Sequence, residues 1–142
     1  MVRALDAALI LHADHELNAS TFAARITAAT MADLYSSVTS AIGTLKGPLH
    51  GGANAEVMKM IEEIGTPEKA EAWVLAQLAA KNKIPGFGHR VYRCEDPRAG
   101  ILRQHAKKVA KLAGDRRLFD ITLEVERVML ANTTLFPNVD LY

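Results

Sequence analysis

The chain has a single cysteine, few aromatic residues and almost no net charge. Among its 142 residues, Cys94 stands alone, aromatic residues make up 6%, and 17 basic residues oppose 16 acidic ones. One cysteine cannot form an internal disulfide, which favours a reducing compartment. No basic stripe is left uncompensated by acidic residues, so the sequence argues against a nucleic-acid partner.

Long hydrophobic runs are also missing. The longest uninterrupted apolar run covers residues 7–11, whereas a bilayer-spanning helix needs about 20 apolar residues. The N-terminus shows no cationic start followed by an apolar segment and a cleavage site. We therefore expect a protein of the cytoplasm with no membrane association.

No segment alternates in the manner of a β-strand, and helical patterns fill the chain. Residues 2–13 are apolar on nearly every face, which is typical of a helix buried all round and indicates part of a larger core or a subunit interface. Residues 20–46 are rich in small side chains and predict tight helix packing. The sequence thus predicts an all-α fold.

Helix boundaries are marked from residue 53 onward. The pattern predicts a helix over 53–64 that ends at Gly65, followed by a helix capped by Thr66. Asp96 and the proline after it predict the start of another helix, which ends at Gly114.

His50 lies between glycines in the segment GPLHGGAN. Glycine allows a ligand to approach the backbone closely, and a neutral imidazole at a helix start can donate to a carbonyl oxygen. The alternative is an ordinary turn histidine.

The segment PGFGHRVYRCEDPR repeats this arrangement around His89. Arg98 falls at the start of a predicted helix, where a guanidinium and helix amides together suit a carboxylate. Arg93 is spaced to reach a phosphate, and exposed amides of the glycine loop suit a nucleotide base. The alternative is a surface turn with an ion-paired arginine.

Two further segments are less specific. His12 and His15 are three residues apart in HADHE and raise the question of a metal site. No third ligand has a convincing spacing, so we expect no metal and assign His15 to anion binding. Asp140 in FPNVD gains significance only from the other motifs.

Together, HADHE with NAS, GPLHGGAN, PGFGHRVY with DPR, and PNVD resemble the citrate synthase family, which includes 2-methylcitrate synthase. The resemblance covers essentially the whole chain. It implies the multihelical citrate synthase fold and an acyltransferase that condenses acetyl-CoA with oxaloacetate to citrate and CoA.

The resemblance also implies the site. His50 would bond the thioester oxygen, Asp140 would take a methyl proton, and His89 would polarise the ketone of oxaloacetate. His15 and Arg98 would hold oxaloacetate. Coenzyme A, a co-substrate and not a tightly bound cofactor, would contact the following residues: Arg93, Pro85, Gly86, Phe87, Gly88 and Val91.

By the same resemblance, residues 1–50 belong to a large domain that forms a homodimer interface, and residues 51–142 form a small, CoA-binding domain. The chain would be an internal fragment that lacks the N-terminal part of the large domain and a C-terminal segment. We expect such a fragment to be inactive alone.

Three alternatives stay open at this point. The first is a 2-methylcitrate synthase that uses propionyl-CoA. The second is a non-catalytic helical module that binds CoA, and the third is a helical metal protein built on His12 and His15.

Overall fold

A computed structural model describes residues 1–13, 16–89 and 92–142. Within these ranges the chain forms seven α-helices and no strand, which confirms the predicted all-α fold. The helices are α1 (Val2–Ala13), α2 (Ala19–Ala29), α3 (Leu34–Leu45), α4 (Ala53–Ile64), α5 (Pro67–Ala79), α6 (Pro97–Ala113) and α7 (Arg117–Asn132).

The chain divides into two compact units. One combines Met1–Leu9 with Asn54–Tyr142, and the other is Ile10–Ala53. The hydrophobic core of the first unit is built from α4, α5 and α7 together with Ile84 and Leu141. Leu141 is only 2% exposed, so the segment that carries Asp140 is anchored in this core.

The second unit contains α2 and α3, which pack against each other. The small-residue tract at 20–46 is therefore two helices. Met31 adopts a positive φ of 63° between them, and Asp33 caps α3 by accepting from Ser36 N at 2.9 Å. In α2 and α3 only Ser37 is buried.

None of the residues of α1 is buried, so the burial that its apolar pattern indicates is not provided within the described chain. Leu5, Leu9 and Ile10 are 63–65% exposed. A helix that is apolar on all faces needs partners on all faces, and the described parts of the chain do not supply them. None of the described helices is long and apolar enough to cross a bilayer.

The predicted boundaries of α4 and α6 are confirmed. Gly65 ends α4 with a φ of 75°, and Gly114 ends α6 with a φ of 71°. Asp96 caps α6 by accepting from Arg98 N at 2.9 Å. Thr66 occupies the N-cap of α5, but its side chain makes no capping hydrogen bond.

Candidate active site

The glycine loop before His89 lies along the segment that leads to Asp140. Phe87 and Pro137 form an isolated antiparallel bridge. Gly88 N donates to Phe136 O at 2.9 Å, and Asn138 N donates to Gly86 O at 2.9 Å. These contacts place the His89 loop beside the Asp140 segment within one unit.

Gly86 and Gly88 both have a positive φ, 85° and 80° respectively, a conformation that costs other residues energy. Gly86 also has no room for a side chain. An added Cβ would lie 3.0 Å from Cδ1 and 3.2 Å from Cα of Leu141. The close approach of the two segments therefore requires glycine at residue 86.

Replacing Gly86 with alanine is expected to lower the free energy of unfolding by about 1–3 kcal/mol, because the new residue combines strained φ with a clash against Leu141. Gly100→Ala is the matched control: it lies within α6, and an added Cβ meets nothing within 4 Å. That variant is expected to gain up to about 1 kcal/mol. Urea unfolding measures both, and equal midpoints would contradict the close approach at residue 86.

Asn138 links the two catalytic candidates of this unit. Its Nδ2 donates to Gly88 O at 2.9 Å, one residue before His89. Its Oδ1 accepts from Asp140 N at 3.0 Å. One amide side chain thus fixes the spacing between the His89 loop and the Asp140 backbone. Sequence reasoning missed this residue, although it lies inside the PNVD motif.

The imidazole of His89 is held by its own turn. Its Nδ1 accepts from Tyr92 N at 3.1 Å, so in the neutral ring the proton is on Nε2. The rings of His89 and Tyr92 lie 4.5 Å apart at 34°. This arrangement presents Nε2–H as a hydrogen-bond donor, which is the form that can polarise a ketone oxygen.

Arg98 forms a bidentate ion pair with Asp96. Its Nη2 donates to Oδ2 at 2.7 Å and its Nε to Oδ1 at 3.0 Å. Asp96 is 1% exposed, and the Arg98 side chain is 12% exposed. The carboxylate at this helix start is therefore the protein's own, where the sequence suggested unoccupied helix amides. Asp96 fixes the orientation of the guanidinium.

The pKa of the Asp96 carboxyl lies below its ordinary value. Burial is the largest single influence and opposes ionisation, but the hydrogen bonds from Arg98 and the charge of Arg98 outweigh it. Asp96 is consequently a buried charge, and the folded protein depends on Arg98 to stabilise it.

A cavity of about 260 Å³ opens beside His89. Arg93 lines it and is exposed. The cavity walls come from the glycine loop, the turn after His89 and the segment before Asp140: Gly88, His89, Tyr92, Arg93, Cys94, Thr134, Leu135, Phe136 and Pro137.

His50 belongs to the second unit and packs against the start of α2. Its Nε2 accepts from Ser20 N at 3.1 Å and lies 2.9 Å from Ser20 Oγ. The helix start that meets His50 is thus that of α2, whereas the sequence suggested the following helix. With Nε2 accepting, the neutral ring carries its proton on Nδ1.

Some predicted residues lie outside the described part of the chain. They are His15, assigned to oxaloacetate, and Val91, assigned to CoA. Among the residues that are described, no group of three or more His, Cys, Asp or Glu side chains is arranged to hold a metal ion.

Comparison with known proteins agrees with these motifs. A family model described as "Citrate synthase, C-terminal domain" matches residues 1–142. The chain belongs to the citrate synthase family.

Individual relatives carry two activities in their names. "Citrate synthase 2" of Bacillus subtilis (strain 168) is 53% identical over 141 residues, which cover 99% of this chain and 38% of the relative. A "2-methylcitrate synthase" of Shewanella oneidensis is 44% identical over 99% of this chain and 37% of the relative.

Among solved structures, the citrate synthase of Thermoplasma acidophilum is 37% identical with a TM-score of 0.87, covering 100% of this chain and 39% of that one. That structure is described as a ternary complex of the enzyme with carboxymethyl coenzyme A and oxaloacetate. The chain therefore spans less than two-fifths of the length of the relatives described here.

Proposed function

We propose that this chain supplies the condensing chemistry of a citrate synthase, in which acetyl-CoA and oxaloacetate give citrate and free CoA. Asp140 takes a proton from the methyl group of acetyl-CoA, and the electron pair forms an enolate. The enolate carbon bonds to the ketone carbon of oxaloacetate, whose oxygen gains a proton from His89. Water then cleaves the thioester of citryl-CoA and releases citrate and the CoA thiol.

A carboxylate alone is too weak a base to ionise a methyl group. The step becomes accessible when the developing oxyanion is stabilised as the proton leaves. His50, with its Nε2 engaged by Ser20, donates from Nδ1 to the thioester oxygen. His89, with its Nδ1 engaged by Tyr92, donates from Nε2 to the ketone.

The other assignments concern binding. Arg98 and His15 hold the carboxylates of oxaloacetate, and Arg93 meets a phosphate of CoA. The adenine lies against the glycine loop made by Pro85, Gly86, Phe87, Gly88 and Val91. We further propose that residues 1–50 contribute to a large domain and a homodimer interface, that residues 51–142 form the CoA-binding domain, and that the protein works in the cytoplasm.

The Asn138 bridge is the observation that carries the proposal. It joins the residue before His89 to the backbone of Asp140, so the proposed acid and the proposed base keep a fixed spacing. A condensation needs this arrangement, because proton removal from one substrate must coincide with polarisation of the other.

A chimera tests the proposal. The 141-residue region of the Bacillus subtilis relative that matches this chain is replaced by the chain itself. We expect thiol release from acetyl-CoA that depends on oxaloacetate, and no measurable turnover by the isolated chain, which covers 38% of that relative. The unaltered relative is the positive control. A folded chimera without turnover would contradict the proposal.

The same assay decides between the two named activities. The 2-methylcitrate synthase among the relatives keeps propionyl-CoA open as the preferred acyl donor. We expect acetyl-CoA to be preferred. One methylene changes kcat/KM only about 10- to 200-fold, so both esters are expected to react. A strong preference for propionyl-CoA would make the 2-methylcitrate assignment the correct one.

A further inference from the structure

A polar cluster surrounds Tyr142, two residues after Asp140. The Tyr142 hydroxyl donates to Oε2 of Glu126 on α7. Arg103 Nη2 on α6 donates to the other carboxylate oxygen, Oε1, at 2.6 Å, and also to Glu95 Oε1 at 2.6 Å. We refer to Arg103, Glu126, Tyr142 and Glu95 as the Arg103 cluster.

The cluster is packed as well as hydrogen-bonded. The guanidinium carbon of Arg103 lies 5.2 Å from the centre of the Tyr142 ring, and Phe119 lies 6.2 Å from that ring. Glu126 is 9% exposed. Burial and the hydrogen bond to Glu126 raise the pKa of the Tyr142 hydroxyl above its ordinary value, so it stays a donor at neutral pH.

Two site segments meet at this one arginine. Through Glu126 and Tyr142, Arg103 holds the chain two residues after Asp140. Through Glu95, it holds the turn immediately before Asp96, the partner of Arg98. Apolar side chains could fill the space between Glu126 and Tyr142 at least as stably as an ion pair, and they would leave the two segments without this directional link.

We propose that Arg103 is a positioning residue for the condensation: it fixes Asp140 through Glu126 and Tyr142, and Arg98 through Glu95. The proposal rests on the proposed function, which makes Asp140 the base. Asp140 is then held from both sides, by Asn138 before it and by Tyr142 after it. A displacement of about 1 Å can cost roughly a hundredfold in rate, which explains why a base would need two anchors.

Two substitutions and a control in the chimera separate the connection of Arg103 to Tyr142 through Glu126 from its connection to Glu95. Tyr142→Phe removes only the hydroxyl and is expected to lower kcat about tenfold while both KM values stay unchanged. Arg103→Gln is expected to lower kcat by about tenfold to a hundredfold and also to raise the KM for oxaloacetate, because Arg103 contacts Glu95 as well as Glu126. Arg127→Gln is the matched control.

Arg127 also donates to two carboxylates, those of Glu71 and Glu124. Its side chain is 55% exposed, and neither of its partners is a proposed site residue or a member of the Arg103 cluster. Its replacement is expected to leave kcat and KM unchanged. A purely structural role for Arg103 would lower the folded fraction and leave the kcat of folded enzyme as before.

Hydrogen exchange on the isolated chain provides a second readout that needs no activity. Tyr142→Phe is expected to speed exchange of the amides of residues 140–142 by about tenfold or more, and to leave α7 unchanged. If these amides exchange at the wild-type rate in Tyr142→Phe, the proposal is overturned. A wild-type kcat in both Tyr142→Phe and Arg103→Gln would also overturn it. An inactive unsubstituted chimera would refute the proposed function instead, and the exchange result would still decide whether Tyr142 anchors the segment.

Discussion

Replacing Asp140 with asparagine is expected to lower the kcat of the chimera by about 10²- to 10⁴-fold, the usual contribution of a general base. The amide has the same shape as the carboxylate but cannot take a proton. The contacts that place the residue involve its backbone N–H and the buried Leu141, and the substitution keeps both. Affinity for oxaloacetate is expected to stay near the wild-type value, because the base acts on acetyl-CoA.

Steady-state kinetics and calorimetric titration with oxaloacetate measure the two quantities separately. Asp120→Asn is the control. Asp120 is an α7 carboxylate that pairs with Arg116 at 2.8 Å, so its loss removes an ion pair away from the proposed site. A kcat for Asp140→Asn within a few-fold of wild type would show that another group removes the proton.

Arg98→Leu is expected to have the largest effect on stability. It leaves the Asp96 carboxylate buried without its guanidinium, a change that typically costs about 3–5 kcal/mol. Whole domains have only about 5–15 kcal/mol of stability, so a substantial part of it would be lost. Denaturant unfolding of the chain at neutral pH measures the loss.

The stability lost in Arg98→Leu is expected to depend on pH. In the wild type the lowered pKa of Asp96 stabilises the fold above the ordinary Asp range, and that contribution disappears as pH falls through the lowered value. Without Arg98, burial dominates and raises the pKa of Asp96, so the variant loses stability as pH rises through that raised value. The difference between the two proteins is therefore largest at neutral pH and shrinks on acidification. A difference independent of pH would contradict the role given to Asp96.

A double variant separates stability from substrate binding. Asp96→Asn with Arg98→Leu removes both charges and keeps an acceptor for the Arg98 backbone amide. It is expected to recover much of the stability that Arg98→Leu loses. In the chimera, the KM for oxaloacetate is expected to remain raised in both variants, because both lack the guanidinium. Recovery of the wild-type KM in the double variant would argue against oxaloacetate binding by Arg98.

Local sequence signals predicted the helix boundaries that glycine, proline or a capping residue marks. Gly65, Gly114 and the pair Asp96-Pro97 set boundaries through backbone conformation and capping, which depend on neighbouring residues alone. The break between α2 and α3 was not predicted, because the residue with positive φ is Met31, and neither glycine nor proline marks the place. The apolar pattern of α1 indicates a buried helix but does not identify what covers it, since burial depends on what else packs against a helix.

The motifs predicted the candidate site residues but not the contacts that hold them in place. Asn138 reads as a turn residue in PNVD, and its bond to Gly88 crosses 50 positions of sequence. The carboxylate of Asp96 reads as a helix cap, and its ion pair with Arg98 depends on side-chain direction. His50 was expected to meet the helix that follows it, but it meets Ser20, thirty positions earlier. Contacts of this range require the tertiary fold.

The pairing of the glycine loop with Asn138 also affects how the site assembles during folding. Joining chain segments 50 positions apart carries a loop-closure entropy cost that scales to about 3.5 kcal/mol, apart from a constant. Helices α6 and α7 lie within that loop, so their formation shortens the flexible chain that must be closed. Contacts of such separation tend to form late. A nascent chain therefore carries His89 through the synthesis of fifty more residues before the partner of its loop exists.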